Sequence, residues 1–263
     1  MKVVLFCGGF GMRIREYSEN IPKPMVPIGY RPVLWHVMKY YAHYGHTEFI
    51  LCLGHGADVV KNYFLNYSEC ASNDFVMSQG GKKLDLINKD IQDWRITFAD
   101  TGTNANIAQR LIAVRKYLGN DQEFIANYSD GLTDLPLPDQ LAHFRRMKAV
   151  GSFVSVAPRL SYHMVTAREN GLVSGVEEMS QSSLRINGGY MLFTSAIFDF
   201  IQPGEELVQE PFQRLIKEQK LVGYRYDGFW ASMDTFKDKQ VLDEMYAKER
   251  APWLIWKQSG GSR

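Results

Sequence analysis

The sequence is short of cysteine, of long apolar runs and of any excess of charge. Its three cysteines, Cys7, Cys52 and Cys70, lack Cys-x-x-Cys spacing, and two of them sit in apolar runs. They read as core thiols in a reducing compartment rather than as disulfides or a zinc site. No run approaches the roughly 20 apolar residues of a membrane span. The opening MKVVLFCGGFG is too brief for a signal peptide and carries no cleavage signature. A net charge of +1 supplies no global field for nucleic acid or membrane, so phosphate must be bound by a local constellation. The expected partner is a small anion and the expected location the cytoplasm. With no internal repeat and no low-complexity linker, residues 1–263 read as lobes of a single unit.

What is present is an alternation of strand and helix patterns. Lys2 to Cys7 is a β-branched and aromatic run ending at Gly8-Gly9, a buried first strand feeding a glycine loop. Helical spacing follows over Pro32 to Tyr44, a strand over Glu48 to Leu53 and a helix over Ala57 to Tyr67. The pattern resumes with Arg95 to Ala99, a helix around Ile107 to Tyr117, and Glu123 to Tyr128. This order predicts an α/β fold with a mostly parallel, Rossmann-like mixed sheet, whose ligands bind beyond the carboxyl ends of the strands. Between Ser68 and Asp93 short polar pieces predict an inserted hairpin or flap. From Ser152 consecutive strands (Ser152 to Ala157, His163 to Ala167, Gly188 to Phe193) predict a smaller sub-region that closes over the first. Helices around Pro211 to Lys220 and Thr235 to Lys248 follow.

The most informative segment is Gly8-Gly9-Phe10-Gly11-Met12-Arg13, with Lys23 held between Pro22 and Pro24. Glycines after a strand let the backbone approach a ligand and aim N–H groups at phosphate oxygens. Arg13 adds a forked cation and Lys23 a point charge. A dinucleotide fingerprint fails, because Ile14 stands where its last glycine belongs, and no Gly-Lys-Ser/Thr makes a P-loop. Two carboxylates stand out. Asp130 follows the Glu123 to Tyr128 strand, and Asp234 precedes a helix. Each alone reads equally well as a cap or turn residue. Asp134 and Asp238 read as a turn residue and a solvated helix residue.

These residues resemble the sugar-phosphate nucleotidyltransferases, whose signature is G-G-x-G-x-R, a gap, then P-K-P. The resemblance runs over nearly the whole chain and is nearest to the cytidylyltransferase branch, through Asp100-Thr101-Gly102, Ile186-Asn187-Gly188-Gly189, Gly228-Phe229-Trp230 and Met233-Asp234-Thr235. It implies transfer from a nucleoside triphosphate, CTP, to a sugar 1-phosphate, glucose 1-phosphate, with release of pyrophosphate and formation of CDP-glucose. It also implies Mg²⁺ on Asp130 and Asp234, catalysis by Arg13 and Lys23, and a homo-oligomer. The nucleotide contacts it implies are Leu5, Gly8, Gly9, Gly11, Met12, Arg13, Lys23, Arg110 and Ser129, in a part of about 1–150 with a flap of about 68–93. The sugar phosphate falls to about 151–263, where the resemblance implies Glu178 and Asn187 on the sugar hydroxyls. No nucleic acid or membrane partner is implied. Without the resemblance Arg110 is a helix-surface arginine, Asn187 a turn cap and Glu178 a solvated carboxylate.

One departure matters. The family carries a second lysine in Glu-Lys-Pro that grips the sugar phosphate, whereas this chain has Glu178-Met179-Ser180. Methionine cannot donate a hydrogen bond to phosphate. Arg185, Arg159 and His163 are the candidates to replace it. Another phosphorylated sugar or polyol, another nucleotide, or a weakened regulatory paralogue remain open alternatives.

Overall fold

Residues 1–8, 21–158, 163–179 and 183–258 are described by the computed structural model. Val3–Phe6 lies at the centre of an eight-stranded sheet, parallel to Glu48–Leu53 on one side and to Glu123–Tyr128 on the other. Arg95–Asp100 continues the parallel order beyond Glu48–Leu53. On the opposite side Met191–Thr194 runs antiparallel to Glu123–Tyr128, and Gly151–Val156 antiparallel to it in turn. Gly151–Val156 also pairs with Ile186–Asn187, antiparallel, and with Leu221–Arg225, parallel. Residues beyond 150 therefore extend the same sheet, and the sheet is mixed as expected.

Val3–Phe6 is apolar throughout, and its parallel neighbours are apolar over Phe49 to Leu53 and Phe124 to Ala126, because both faces of the sheet are covered there, as strands flanked by crossover helices require. Val3 and Leu5, with Phe49, Leu51 and Ile125, pack on the helix Val33–His43 through Leu34, Val37 and Tyr41. Val4 and Phe6, with Ile50, Cys52, Phe124 and Ala126, face Leu111 and Val114 of the helix Ile107–Leu118. The thiols of Cys7 and Cys52 sit inside these layers, and burial pushes both up, Cys52 to about 12, so they stay protonated core groups.

Two hairpins leave the sheet. Phe75–Ser78 pairs antiparallel with Lys83–Leu86 in the segment expected to be a flap. Its base is clipped to the body by Asp90, which accepts from Arg31 Nη2 at 2.8 Å, Lys39 Nζ at 2.8 Å and the Tyr67 hydroxyl at 2.6 Å. His163–Ala167 pairs antiparallel with Val173–Glu178 in the second hairpin. A helix at Leu137–Met147 and short strands at Gly131–Thr133 and Trp230–Ser232 were not foreseen from the sequence pattern.

Candidate active site

The parallel register places Phe6 beside both Cys52 and Tyr128, so Gly8, Gly54 and Asp130 follow strands that end at the same edge. Asp130 sits between the strand Glu123–Tyr128 and the short strand Gly131–Thr133. That short strand pairs antiparallel with Trp230–Ser232, Gly131 opposite Ser232. The ladder closes with Met233 N–H donating to Asp130 O at 3.0 Å, which carries Asp234 to the side of Asp130. The Ser232 hydroxyl donates to Asp234 Oδ2 at 2.7 Å and orients the carboxylate. Lys23 arrives from a different segment, in the 3-10 turn Lys23–Met25, and its Nζ makes ion pairs with both Asp130 and Asp234, the latter at 2.8 Å. Burial pulls the Lys23 ammonium down, but the attraction of Asp130 and then Asp234 outweighs it and holds the group above its ordinary range. Three of the residues singled out in the sequence therefore meet at one point.

Arg110 is no surface residue. It is 3% exposed, and its guanidinium donates to Gly8 O at 2.9 Å, Leu53 O at 3.2 Å, Thr103 O at 3.4 Å and Thr101 Oγ1 at 2.6 Å. Burial draws its pKa down, and three carbonyl dipoles and a hydroxyl stand in for water around the charge. Gly8 and Gly54 make room for it: a Cβ on Gly8 would lie 2.1 Å from Nη1, and one on Gly54 3.0 Å from the same atom. The Ser129 hydroxyl turns inward and donates to Phe6 O at 2.9 Å, leaving its backbone as the part near the strand edge. Leu5 is wholly buried and lies between Leu51 and Asn127 in the sheet, which makes its side chain a packing group. Gly9, Gly11, Met12 and Arg13 lie outside the described residues.

On the other side, Arg185 forms a clamp. Its guanidinium donates to Asp227 Oδ1 at 2.5 Å, Ser155 O at 2.7 Å and Tyr226 O at 2.8 Å, and this pairing, with Arg225, holds the Asp227 carboxyl below its usual range. The cation expected to replace the missing lysine is thus bonded within the fold. Asn187 Oδ1 accepts from Gly189 N–H at 2.9 Å, which is the turn-capping geometry. Glu178 ends the exposed hairpin strand Val173–Glu178 opposite His163, and Met179 follows it, half-buried. Arg159 lies outside the described residues.

Residues 2–243 match the nucleotidyl transferase family. The chain is 32% identical over 257 residues to the glucose-1-phosphate cytidylyltransferase of Salmonella typhimurium (strain LT2), covering 97% of this chain and 100% of that protein. It is 24% identical to the mannose-1-phosphate guanyltransferase of Gibberella zeae, over 90% of this chain and 62% of that protein. A solved UDP-glucose pyrophosphorylase complexed with UDP-glucose shares the fold, with a TM-score of 0.69, 16% identity, and coverage of 95% of this chain and 99% of that one. The chain belongs to the nucleotidyl transferase family. As a sugar-phosphate nucleotidyltransferase, it joins a sugar 1-phosphate to a nucleoside triphosphate with release of pyrophosphate.

Members of this family use a divalent metal, and the transferase has donors that suit one. Asp130 and Asp234 present hard carboxylate oxygens that already share one cation, and Mg²⁺ is commonly held by one or two carboxylates completed by phosphate oxygens and water. Among the described residues no group of three or more His, Cys, Asp or Glu could hold a metal ion. Sequence reasoning missed two supports of the transferase site. Asp134, read as a turn residue, accepts from Phe229 N–H at 2.8 Å and from the Tyr226 hydroxyl in a short bond, which fixes the start of the strand carrying Ser232. Asp238, read as solvated, accepts from Asp234 N–H at 3.1 Å and Thr235 N–H at 2.8 Å in a capping box. The second was legible as Thr235-x-x-Asp238; the first had no local signal.

Proposed function

We propose that this transferase moves a cytidylyl group from CTP to glucose 1-phosphate, giving CDP-glucose, with Mg²⁺ held by Asp130 and Asp234. The observation that carries the reading is the meeting of Lys23, Asp130 and Asp234 at the edge where the parallel strands end. The preference for CTP and glucose 1-phosphate is taken from the full-length likeness to the Salmonella cytidylyltransferase. In the proposed reaction an oxygen of the sugar phosphate attacks the α-phosphorus of CTP, the bond to the bridging oxygen breaks, and pyrophosphate leaves with that oxygen. When bound, Mg²⁺ neutralises charge on the triphosphate. Arg13 and the glycine loop bind the phosphates, Lys23 holds a phosphate at the reacting centre, and no protein nucleophile is needed. Catalysis then rests on positioning and charge stabilisation.

A second reading keeps the reaction and changes the acceptor. Met179 in place of the expected lysine favours it, together with the bonding of Arg185 to Asp227 and two carbonyls. The deciding experiment is pyrophosphate release with Mg²⁺ across CTP, ATP, GTP, UTP and dTTP, each paired with a panel of sugar and polyol phosphates. Turnover with CTP and glucose 1-phosphate supports the first reading, and turnover with CTP and another acceptor only supports the second. Turnover exclusively with another nucleotide would overturn both.

A further inference from the structure

Lys23 has two tasks that cannot be performed in one position. The proposed reaction needs its ammonium on a phosphate, yet Nζ lies against Asp130 and Asp234 together. A divalent cation seeking those same two carboxylates would meet a positive charge already between them. The three partners differ in freedom. Asp130 is held through its carbonyl by Met233 N–H, and Asp234 through Ser232 Oγ and, at its own N–H, Asp238. Lys23 is held in its backbone, by the turn in which Val26 N–H donates to Lys23 O at 3.1 Å and by Pro22 and Pro24 on either side. Its ammonium hangs on a flexible four-carbon stem and carries three donors that can be redirected as a set. A short move along that stem carries the charge away while the carboxylates stay in place.

We propose that Lys23 is an exchangeable occupant of the carboxylate pair: it holds Asp130 and Asp234 together, is displaced when the divalent metal takes them, and so becomes available to a phosphate. The proposal rests on the reading that these two carboxylates hold the metal. The exchange couples two events, since the metal cannot bind the pair without releasing the lysine. It also means that Lys23 opposes metal binding while serving the reaction.

The test measures Mn²⁺ binding without nucleotide, by the loss of the free-ion electron paramagnetic resonance signal, on the wild-type full chain, Lys23→Met and Asp130→Asn. The exchange predicts that Lys23→Met binds Mn²⁺ about tenfold more tightly, the order expected when two partly buried ion pairs no longer have to be broken, and that Asp130→Asn loses binding. In the wild type, saturating Mn²⁺ should raise acetylation of Lys23 by acetic anhydride several-fold, read by peptide mass spectrometry. Unchanged or weaker Mn²⁺ binding in Lys23→Met, with binding lost in Asp130→Asn, overturns the exchange and leaves the metal reading standing. Wild-type binding in Asp130→Asn overturns the metal reading and the exchange with it. Should Lys23→Met fail to fold, the acetylation arm decides, and no rise in Lys23 labelling overturns the proposal.

Discussion

Replacing Gly8 by alanine tests the packing at the edge where the parallel strands end. The added Cβ would stand 2.1 Å from Arg110 Nη1, 2.4 Å from Cζ and 2.7 Å from Nη2. No such contact is tolerated, so the guanidinium must leave its place, although it is buried and bonded to Gly8 O, Leu53 O, Thr103 O and Thr101 Oγ1. Overpacking costs about 1–3 kcal/mol, and each hydrogen bond to a charged group contributes about 1.5–3 kcal/mol net. Because Arg110 can keep some of its partners after a partial shift, Gly8→Ala should destabilise the fold by about 3 kcal/mol. In an Arg110→Met background the obstacle is thinner and more pliable, and the same change should cost under about 1 kcal/mol. The coupling in a double-mutant cycle is then about 2 kcal/mol, measured by urea unfolding followed by tryptophan fluorescence. Additivity of the two substitutions within about 0.5 kcal/mol would refute the claim that Gly8 is glycine because Arg110 lies against it.

Three further outcomes follow from the same geometry. His36 is buried with Nε2 3.1 Å from Ile28 O and Nδ1 accepting from Trp253 N–H at 3.4 Å, and burial lowers its pKa to about 4 from 6.5. The unfolded chain therefore binds the extra proton between those values, so the His36 contribution to stability is full above about pH 6.5 and falls by about 2 kcal/mol on going from pH 7.5 to 5; urea unfolding at both pH values should show a loss smaller by that amount in His36→Gln. Asp90→Asn leaves Arg31 and Lys39 without their buried counter-charge, and should cost about 3–5 kcal/mol while speeding proteolysis within residues 68–93. Tyr226→Phe removes the short bond to Asp134 and should lower stability by about 1–2 kcal/mol, seen in thermal unfolding, with kcat lowered more than KM because the strand bearing Ser232 loses an anchor rather than a substrate contact.

Much of the fold was legible wherever burial is two-sided. Glu48–Leu53, Glu123–Tyr128 and His163–Ala167 have the bounds expected of them. The first two hold continuous apolar stretches, Phe49 to Leu53 and Phe124 to Ala126, of the kind a sheet covered on both faces accommodates. The helix Leu137–Met147 escaped because only Leu137, Gln140 and Phe144 of it are buried, too sparse a stripe to stand out beside Pro138 and a polar outer face. By spacing alone Arg110 reads as a helix-surface arginine; its burial depends on Gly8 and Gly54, which follow two strands far from it in sequence, so no local window signals it. Arg185 was expected to serve a phosphate, and nothing local signals that Asp227, Ser155 and Tyr226 converge on it.

The carboxylate pair shows why composition and spacing could name its members but not their arrangement. Asp130 and Lys23 come from separate segments, and Asp234 lies 211 positions beyond Lys23, so no window of sequence contains the contact. The link is the short ladder between Gly131–Thr133 and Trp230–Ser232, three residues on each side, stiffened by Asp134 on one flank and by Trp230 Nε1 donating to Gly188 O at 2.8 Å on the other. Gly188 leaves room for the indole, since a Cβ there would lie 3.0 Å from that same nitrogen and the ring would have to shift. The Asn187-Gly188-Gly189 and Phe229-Trp230 motifs are therefore two halves of one support that keeps Asp130 and Asp234 at a set separation. A fixed negative pair facing a cation on a flexible stem divides the labour in a way that suits phosphoryl transfer, where the geometry of the metal must be constant while positive charge moves with the phosphates.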